Sequence, residues 1–350
     1  MKFTNKYLEG NNKIAKTKQM DKGVFIISLD FEMMWGVKDI TTPSLYGESH
    51  IKNVYQVIPA LLSLFERYDV KATFATVGLI MLEGKEEAVK NVPPLIPTYK
   101  NEKLSPYAEN YIEKIEDKNN DLYFAPSLVE RLKACKNVEI GTHTFCHYNC
   151  YAEGQTIGQF EEDIKKAIQV AFSKEIEIKS IVFPRNQVTD EYLKICTKHG
   201  IKAYRGNPSS FFSRTYSPLA RFKNRFLRLM DTYLNIGDRT SYSLDEAISF
   251  GMPFNIKASR FFRPYNKRLS FLEPLRLRRI RQEIIYAARH HEAYHLWWHP
   301  HNFGANTEKN LKNLEEVLKC YKECHERYGM SSYTMGELSK IINTSHGTEA

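Results

Sequence analysis

Apolar residues along this chain fall into short continuous runs, separated by longer stretches in which they recur at helical spacing. Residues 24–30 (VFIISLD) form a short, mainly β-branched and apolar run, which suits a strand covered on both faces in a parallel sheet. Across 53–68, Val54, Val57, Ile58, Leu61, Leu62 and Phe65 share one face of a helix. Residues 71–77 (KATFATV) read as a second strand, closed by Gly78. Further strands are predicted at 137–140, 180–183, 201–204, 254–258 and 293–298. Helical patterns occupy 127–135, 155–172, 189–199, 222–233 and 272–290, and two more follow the last strand at 307–328 and 335–342. This rhythm, with about seven strands, argues for an α/β fold on a parallel sheet, open or closed into a barrel. In such folds the chemistry sits on loops that follow the carboxyl ends of the strands.

One segment breaks the rhythm. Residues 83–125 carry Pro93, Pro94, Pro97 and Pro106 and are too long for an ordinary connection. They read equally as a lid or substrate wall and as a surface insertion without a role. Because the strands resume afterwards with the same polarity, a single domain over 24–343 is expected, after a polar extension at 1–23 and before a tail at 344–350.

Composition narrows the class. With 42% hydrophobic and 26% charged residues in 350, the chain is an ordinary globular protein, and its size forces neither metal nor disulfide for stability. No apolar run is long enough to span a bilayer. The polar first segment lacks the apolar core of a secretory leader, which predicts a cytosolic protein. In a reducing cytosol the six cysteines stay thiols. The net charge of +9 is uneven, with basic, aromatic-rich tracts at 221–228 (RFKNRFLR) and 260–289. Such tracts attract anions, whether phospholipid headgroups or a phosphate-bearing substrate, or they are simply a solvated helix face. No nucleic-acid motif accompanies them, so no nucleic-acid partner is expected.

The candidate chemistry lies at predicted strand ends. Residues 139–150 (EIGTHTFCHYNC) set His143 and His147 four positions apart, a spacing that in a helical turn converges two imidazoles on one point. Asp30-Phe31-Glu32 places two carboxylates on the same side of an extended chain, with Phe31 on the other. Two imidazoles and one carboxylate leave an open position for water and suit Zn, with Co, Ni, Fe or Mn as alternatives. Cys146 and Cys150 interleave with the histidines, either as thiolate ligands of a closed site or as wall residues. Residues 294–304 (YHLWWHPHNFG) deliver His299 at a strand end, placed for proton transfer, with His301 as its substitute and His295 packed within the strand.

Taken together, SLDFE, KATFATVG, HTFCH and the strand ending at His299 resemble the polysaccharide deacetylase family, the NodB-homology group or carbohydrate esterase family 4, over about 24–304. The resemblance implies a deformed (β/α) barrel and hydrolysis of an N-acyl amide or O-ester on a sugar. By position, Asp30 is the general base, Glu32, His143 and His147 are the metal ligands, and His299 is the acid that protonates the departing amine. Metal-bound water is then the nucleophile. Two motifs depart from the pattern. Asp-Phe-Glu replaces two adjacent aspartates, and the family's R-x-P-Y appears only as Phe183-Pro184-Arg185-Asn186. Arg185 is expected to orient Asp30 or to bind substrate, while Asn186, Arg260 and His301 are expected to face the substrate. The function implied is a metal-dependent deacetylase or deformylase acting on an amino sugar of a glycan precursor. Lipid or nucleotide linkage and peripheral contact with an anionic membrane fit the cytosolic expectation and the basic tracts. The alternatives are an allantoinase-like hydrolase of a non-sugar amide, and a non-catalytic barrel that binds anionic lipid or a protein.

Overall fold

The computed structural model describes residues 21–207, 231–233, 239–247 and 251–345. Its centre is β1 (Val24–Phe31), all eight residues of which are buried. The reason is its position: β2 (Ala72–Thr76) and β8 (Ala293–Trp298) flank it in parallel register, with Asp30 opposite Ala75 and Leu29 opposite Trp298. A strand with neighbours on both edges and helices over its outer face exposes nothing, so the run is apolar almost throughout.

From β2 the sheet continues through β3 (Val138–Thr142), β4 (Ser180–Ile181), β5 (Ala203–Tyr204) and β6 (Phe254–Asn255), while β7 (Arg260–Phe261) adds to β8 on the other side. The sheet's ninth strand, β9 (Ser331–Ser332), pairs the start of β1. All pairs within the sheet are parallel. One bent segment brings the two edges together. The Ile256 and Ala258 amides donate to the Tyr204 and Gly206 carbonyls at 2.9 Å, and the next residues switch sides, with Ser259 and Phe262 donating to His295 and Trp297 at 2.8 Å. The sheet thereby curls into the deformed (β/α) barrel that the resemblance implied.

Helices cover the outside: α1 (Val54–Arg67), α2 (Lys85–Lys90), α3 (Asn120–Tyr123), α4 (Pro126–Lys133), α5 (Ile157–Ser173), α6 (Asp190–Lys198), α7 (Glu273–His290), α8 (Thr307–Tyr328) and α9 (Met335–Ser345). The periodic positions of α1 turn inward as predicted, with Val57, Ile58, Leu61 and Phe65 fully buried. A capping box fixes the start of α5, where Thr156 accepts from the Gln159 amide and the Gln159 side chain accepts in return. The interruption at 83–125 contributes α2 and α3 and packs onto the barrel: the Trp35 indole donates to the Tyr123 carbonyl at 2.8 Å and the Tyr55 hydroxyl to the Phe124 carbonyl at 3.1 Å. The predicted helix at 222–233 and the basic tract 221–228 lie outside the described residues, apart from helical 231–233.

Candidate active site

The carboxyl end of β1 carries Asp30 and Glu32 into the barrel mouth, while Phe31 between them turns into the core. This is the alternation expected of an extended chain. Both carboxylates are buried. Gly36, in the turn that follows, is necessary for this seat, because a Cβ there would collide with the Glu32 carboxyl group.

Beyond β3 the histidine pair approaches Glu32. Nε2 of His143 and of His147 stand 3.4 and 3.3 Å from Glu32 Oε2. One donor atom from each of the three residues lies within 4.8 Å of the others. The pair is not on a helical turn, as its spacing suggested. It sits on a loop in which Thr144 and His147 adopt left-handed backbone, at φ 66° and 58°. Local bonds stabilise these conformations: Thr144 Oγ1 accepts from the Tyr148 amide at 2.7 Å, and the Asp163 carboxylate of α5 accepts from the Phe145 and Cys146 amides at 2.7 and 3.1 Å. Burial pushes Asp163 up to about 6, against the lowering from the Cys146 thiol and these amides. Cys146 and Cys150 are buried thiols outside the Glu32, His143 and His147 cluster, and burial raises both.

The protonation states suit a metal. His143 Nδ1 donates to the Val182 carbonyl at 2.8 Å, which leaves Nε2 as the lone-pair nitrogen facing Glu32. Burial lowers His147 despite the pull of Glu32, so its ring is neutral. Burial alone would raise Glu32, yet His299, His143 and His147 hold it well below its ordinary value. Two imidazoles and one ionised carboxylate, all buried, fit a divalent cation of zinc type.

Asp30 has separate partners. The fully buried Arg205 grips it through both oxygens, Nη1 to Oδ1 at 2.6 Å and Nη2 to Oδ2 at 2.7 Å. The remaining contacts fix the guanidinium: Nη1 donates to Ser28 Oγ and Nη2 to Asn186 Oδ1, both at 3.0 Å, and the Trp297 ring lies 4.2 Å from its centre. Burial raises Asp30, but Arg205, His143 and His299 outweigh it and leave the carboxyl below its ordinary value. Beneath this pair, His295 Nε2 meets Ser28 Oγ at 2.8 Å, and burial lowers that ring to about 3, so it is neutral.

His299 faces both carboxylates, with Nε2 at 3.6 Å from Asp30 Oδ2 and 3.7 Å from Glu32 Oε1. Its Nδ1 is 3.1 Å from Asn302 Oδ1, an acceptor that fixes the proton on Nδ1 when the ring is neutral. His301 lies deeper, stacked on His299 with ring centres 5.1 Å apart and Nε2 3.9 Å from Glu32 Oε1.

Two arginines are not where the sequence suggested. Arg185 donates to Asp39 at 2.6 Å on the partly exposed rim and does not touch Asp30. The orienting role belongs to Arg205, which the strand-end rule could have found, since it directly follows the strand predicted at 201–204. Arg260 faces away from the mouth because alternation along β7 turns it to the helical layer. There it forms a buried two-bond pair with Glu283 of α7, at 2.8 and 2.6 Å, rather than facing the mouth. Its neighbour Phe261 is the residue that turns toward the mouth, with its ring centre 4.8 Å from Trp297 and 6.0 Å from His299. Asn186 is engaged through its side chain with Arg205.

A sequence model described as polysaccharide deacetylase matches residues 52–204, a stretch that includes both histidines and ends at the residue before Arg205. Over that stretch, less than half of the chain, the sequence is similar to the polysaccharide deacetylase family. The fold agrees with that of family structures. A Mycobacterium smegmatis protein assigned to this family aligns with a TM-score of 0.57 at 12% identity, over 93% of this chain and 91% of that one. A Pseudomonas aeruginosa PAO1 protein assigned to it aligns with a TM-score of 0.53 at 10% identity, over 94% of each chain. No curated protein matches the chain. Asp30, Glu32 and His299, which lie outside the matched stretch, join the histidine motif through the barrel.

Proposed function

We propose that this chain is a metal-dependent hydrolase that removes an N-acyl group, acetyl or formyl, from an amino sugar of a glycan precursor. The observation that carries the reading is the division of labour at the mouth. Glu32, His143 and His147 converge on one point, while Asp30 and His299 flank it with their own, separate orienting partners. Glu32, His143 and His147 would hold the divalent ion, with zinc favoured by the donor set. When bound, such an ion polarises an acyl oxygen and acidifies water.

The chain's own groups supply the proton traffic. Asp30, kept ionised by Arg205, takes a proton from the attacking water as its oxygen bonds to the acyl carbon. His299 presents Nε2 to the same space and, in its protonated form, gives a proton to the amine nitrogen as the C–N bond breaks. The products are a free amino sugar and a carboxylate. Phe261 and Trp297, beside His299, form an aromatic wall suited to the apolar face of a sugar ring.

A precursor linked to a lipid or a nucleotide, met at the cytosolic face of a membrane, fits the basic charge of the chain. Incubation of the zinc-loaded protein with N-acetylamino-sugar conjugates and with cyclic ureides, followed by acetate and ureide assays, tests the class. Acetate release from the sugars is expected, and activity on the ureides alone would reject the reading.

A further inference from the structure

The large apolar side chains that reach solvent are unevenly distributed. Among the described residues, six are more than half exposed: Ile40, Leu45, Leu95, Tyr151, Phe172 and Phe271. All but Phe172, near the far end of α5, lie on segments that follow strands and therefore rim the barrel mouth. A soluble enzyme has no folding reason to gather such residues at one end.

One prominence lies within the basic tract 260–289. Phe271 is 73% exposed at the approach to α7, and Leu275, one turn later, is 41% exposed. Around them Lys267, Arg268 and Arg278 are exposed and make no ion pair among the described residues. The nearby acids are withdrawn. Glu273 is buried against Arg276, and Glu283 against Arg260 and Arg279. The basic tract is thus two populations: some arginines are paired inside the fold, and other cations are exposed beside apolar tips, without an ion pair among the described residues.

Ile40 and Leu45, each 76% exposed after β1, are the second prominence. The β8 loop with His299 and His301 lies between the two. On one side, Asn53 donates to its Gly304 carbonyl at 2.9 Å. On the other, the start of α8 meets the β7 loop through Tyr265 N to Asn310 at 2.6 Å, and α7 through Asn313 to Glu273 at 2.7 Å. The apolar tips therefore stand on either side of the candidate active site. Protruding apolar tips, on the Phe271 side beside exposed cations without an ion pair among the described residues, match the headgroup–acyl boundary of an anionic bilayer. No helix among the described residues is long and apolar enough to cross a membrane.

We propose that this sector of the rim, bearing Ile40, Leu45, Phe271, Leu275, Lys267 and Arg268, docks on an anionic bilayer and turns the barrel mouth to the headgroups. An amino sugar on a lipid carrier then reaches Asp30 and His299 without leaving the membrane. The substrate half of this statement rests on the function proposed above; the docking half does not.

Flotation of the full chain with vesicles of phosphatidylcholine alone, or with added phosphatidylglycerol, tests the docking directly. Binding to the anionic vesicles is expected to be at least about ten-fold tighter and to weaken with salt. Lys267→Gln with Arg268→Gln should weaken it about five-fold per charge removed, and Leu45→Ser with Phe271→Ser by about ten-fold or more. Both variants should keep the wild-type melting curve and wild-type acetate release from a water-soluble substrate. Absence of anionic preference, or binding unchanged in both variants, would overturn the proposal. So would wild-type self-association in vesicle-free buffer that the serine variant abolishes, since that assigns the surface to a second copy of the chain. Vesicle binding without deacylation of any amino sugar would leave docking intact and reject the functional reading instead.

Discussion

Replacing Arg205 by methionine keeps the bulk of a buried side chain and removes its charge and four hydrogen bonds, two to Asp30 and one each to Ser28 and Asn186. Removing one partner of a buried pair costs about 3–5 kcal/mol, because the other charge is left unpaired. In the wild type the lowered Asp30 carboxyl contributes stability above its ordinary value of 3.8, and that contribution is lost as pH falls through the folded value. Without Arg205, burial dominates and the Asp30 carboxyl moves upward. The acid limb of kcat against pH should therefore move to higher pH in Arg205→Met, with neutral-pH activity reduced by up to about 10²–10⁴-fold, the worth of general-base catalysis. The assay is acetate release across the pH range, paired with chemical denaturation. Asp30→Asn added to Arg205→Met removes the stranded charge and should restore much of the stability but none of the activity, which separates catalytic loss from misfolding. A stable Arg205→Met protein with the wild-type rate and acid limb would refute the reasoning.

Other perturbations separate the remaining roles. Arg185→Ala breaks only the partly exposed pair with Asp39, so denaturation should show a change of about 0–1 kcal/mol and the acid limb should stay in place; a shift like that of Arg205→Met would return the orienting role to Arg185. His299→Gln should lower kcat by about 10²–10⁴-fold with metal content unchanged, read by acetate release and elemental analysis on the same preparation; loss of metal in this variant would make His299 a ligand rather than the acid.

Much of the site is legible in the chain because long, strongly apolar strands announce their own ends. Asp30 lies at the end of β1, Glu32 and His299 directly follow β1 and β8, the runs of eight and six residues, and strand alternation correctly aims both carboxylates into one space. Short strands conceal as much as these reveal. β5 contributes only Ala203 and Tyr204, and Arg205 beyond it belongs to no recognisable motif, so its grip on Asp30 emerges only when β5 and β1 are seen across one barrel. Arg260 shows the opposite failure. Its place at a strand end is correct, but β7 is two residues long and its phase decides that Phe261, not Arg260, turns to the mouth. The histidine spacing points to convergence for the wrong local reason. Left-handed Thr144 and His147 depend on Asp163 and the Thr144 hydroxyl, which no helical periodicity encodes.

Metal content and activity measured together test the central claim most directly. The protein is stripped with chelator, reloaded with zinc in steps, and assayed for bound metal and for acetate release from an N-acetylamino-sugar conjugate, alongside His143→Ala. Activity should rise in proportion to metal up to one ion per chain, and His143→Ala should neither retain the ion nor recover activity. Full activity in the stripped protein, or a His143→Ala variant that binds zinc and turns over like the wild type, would contradict the account.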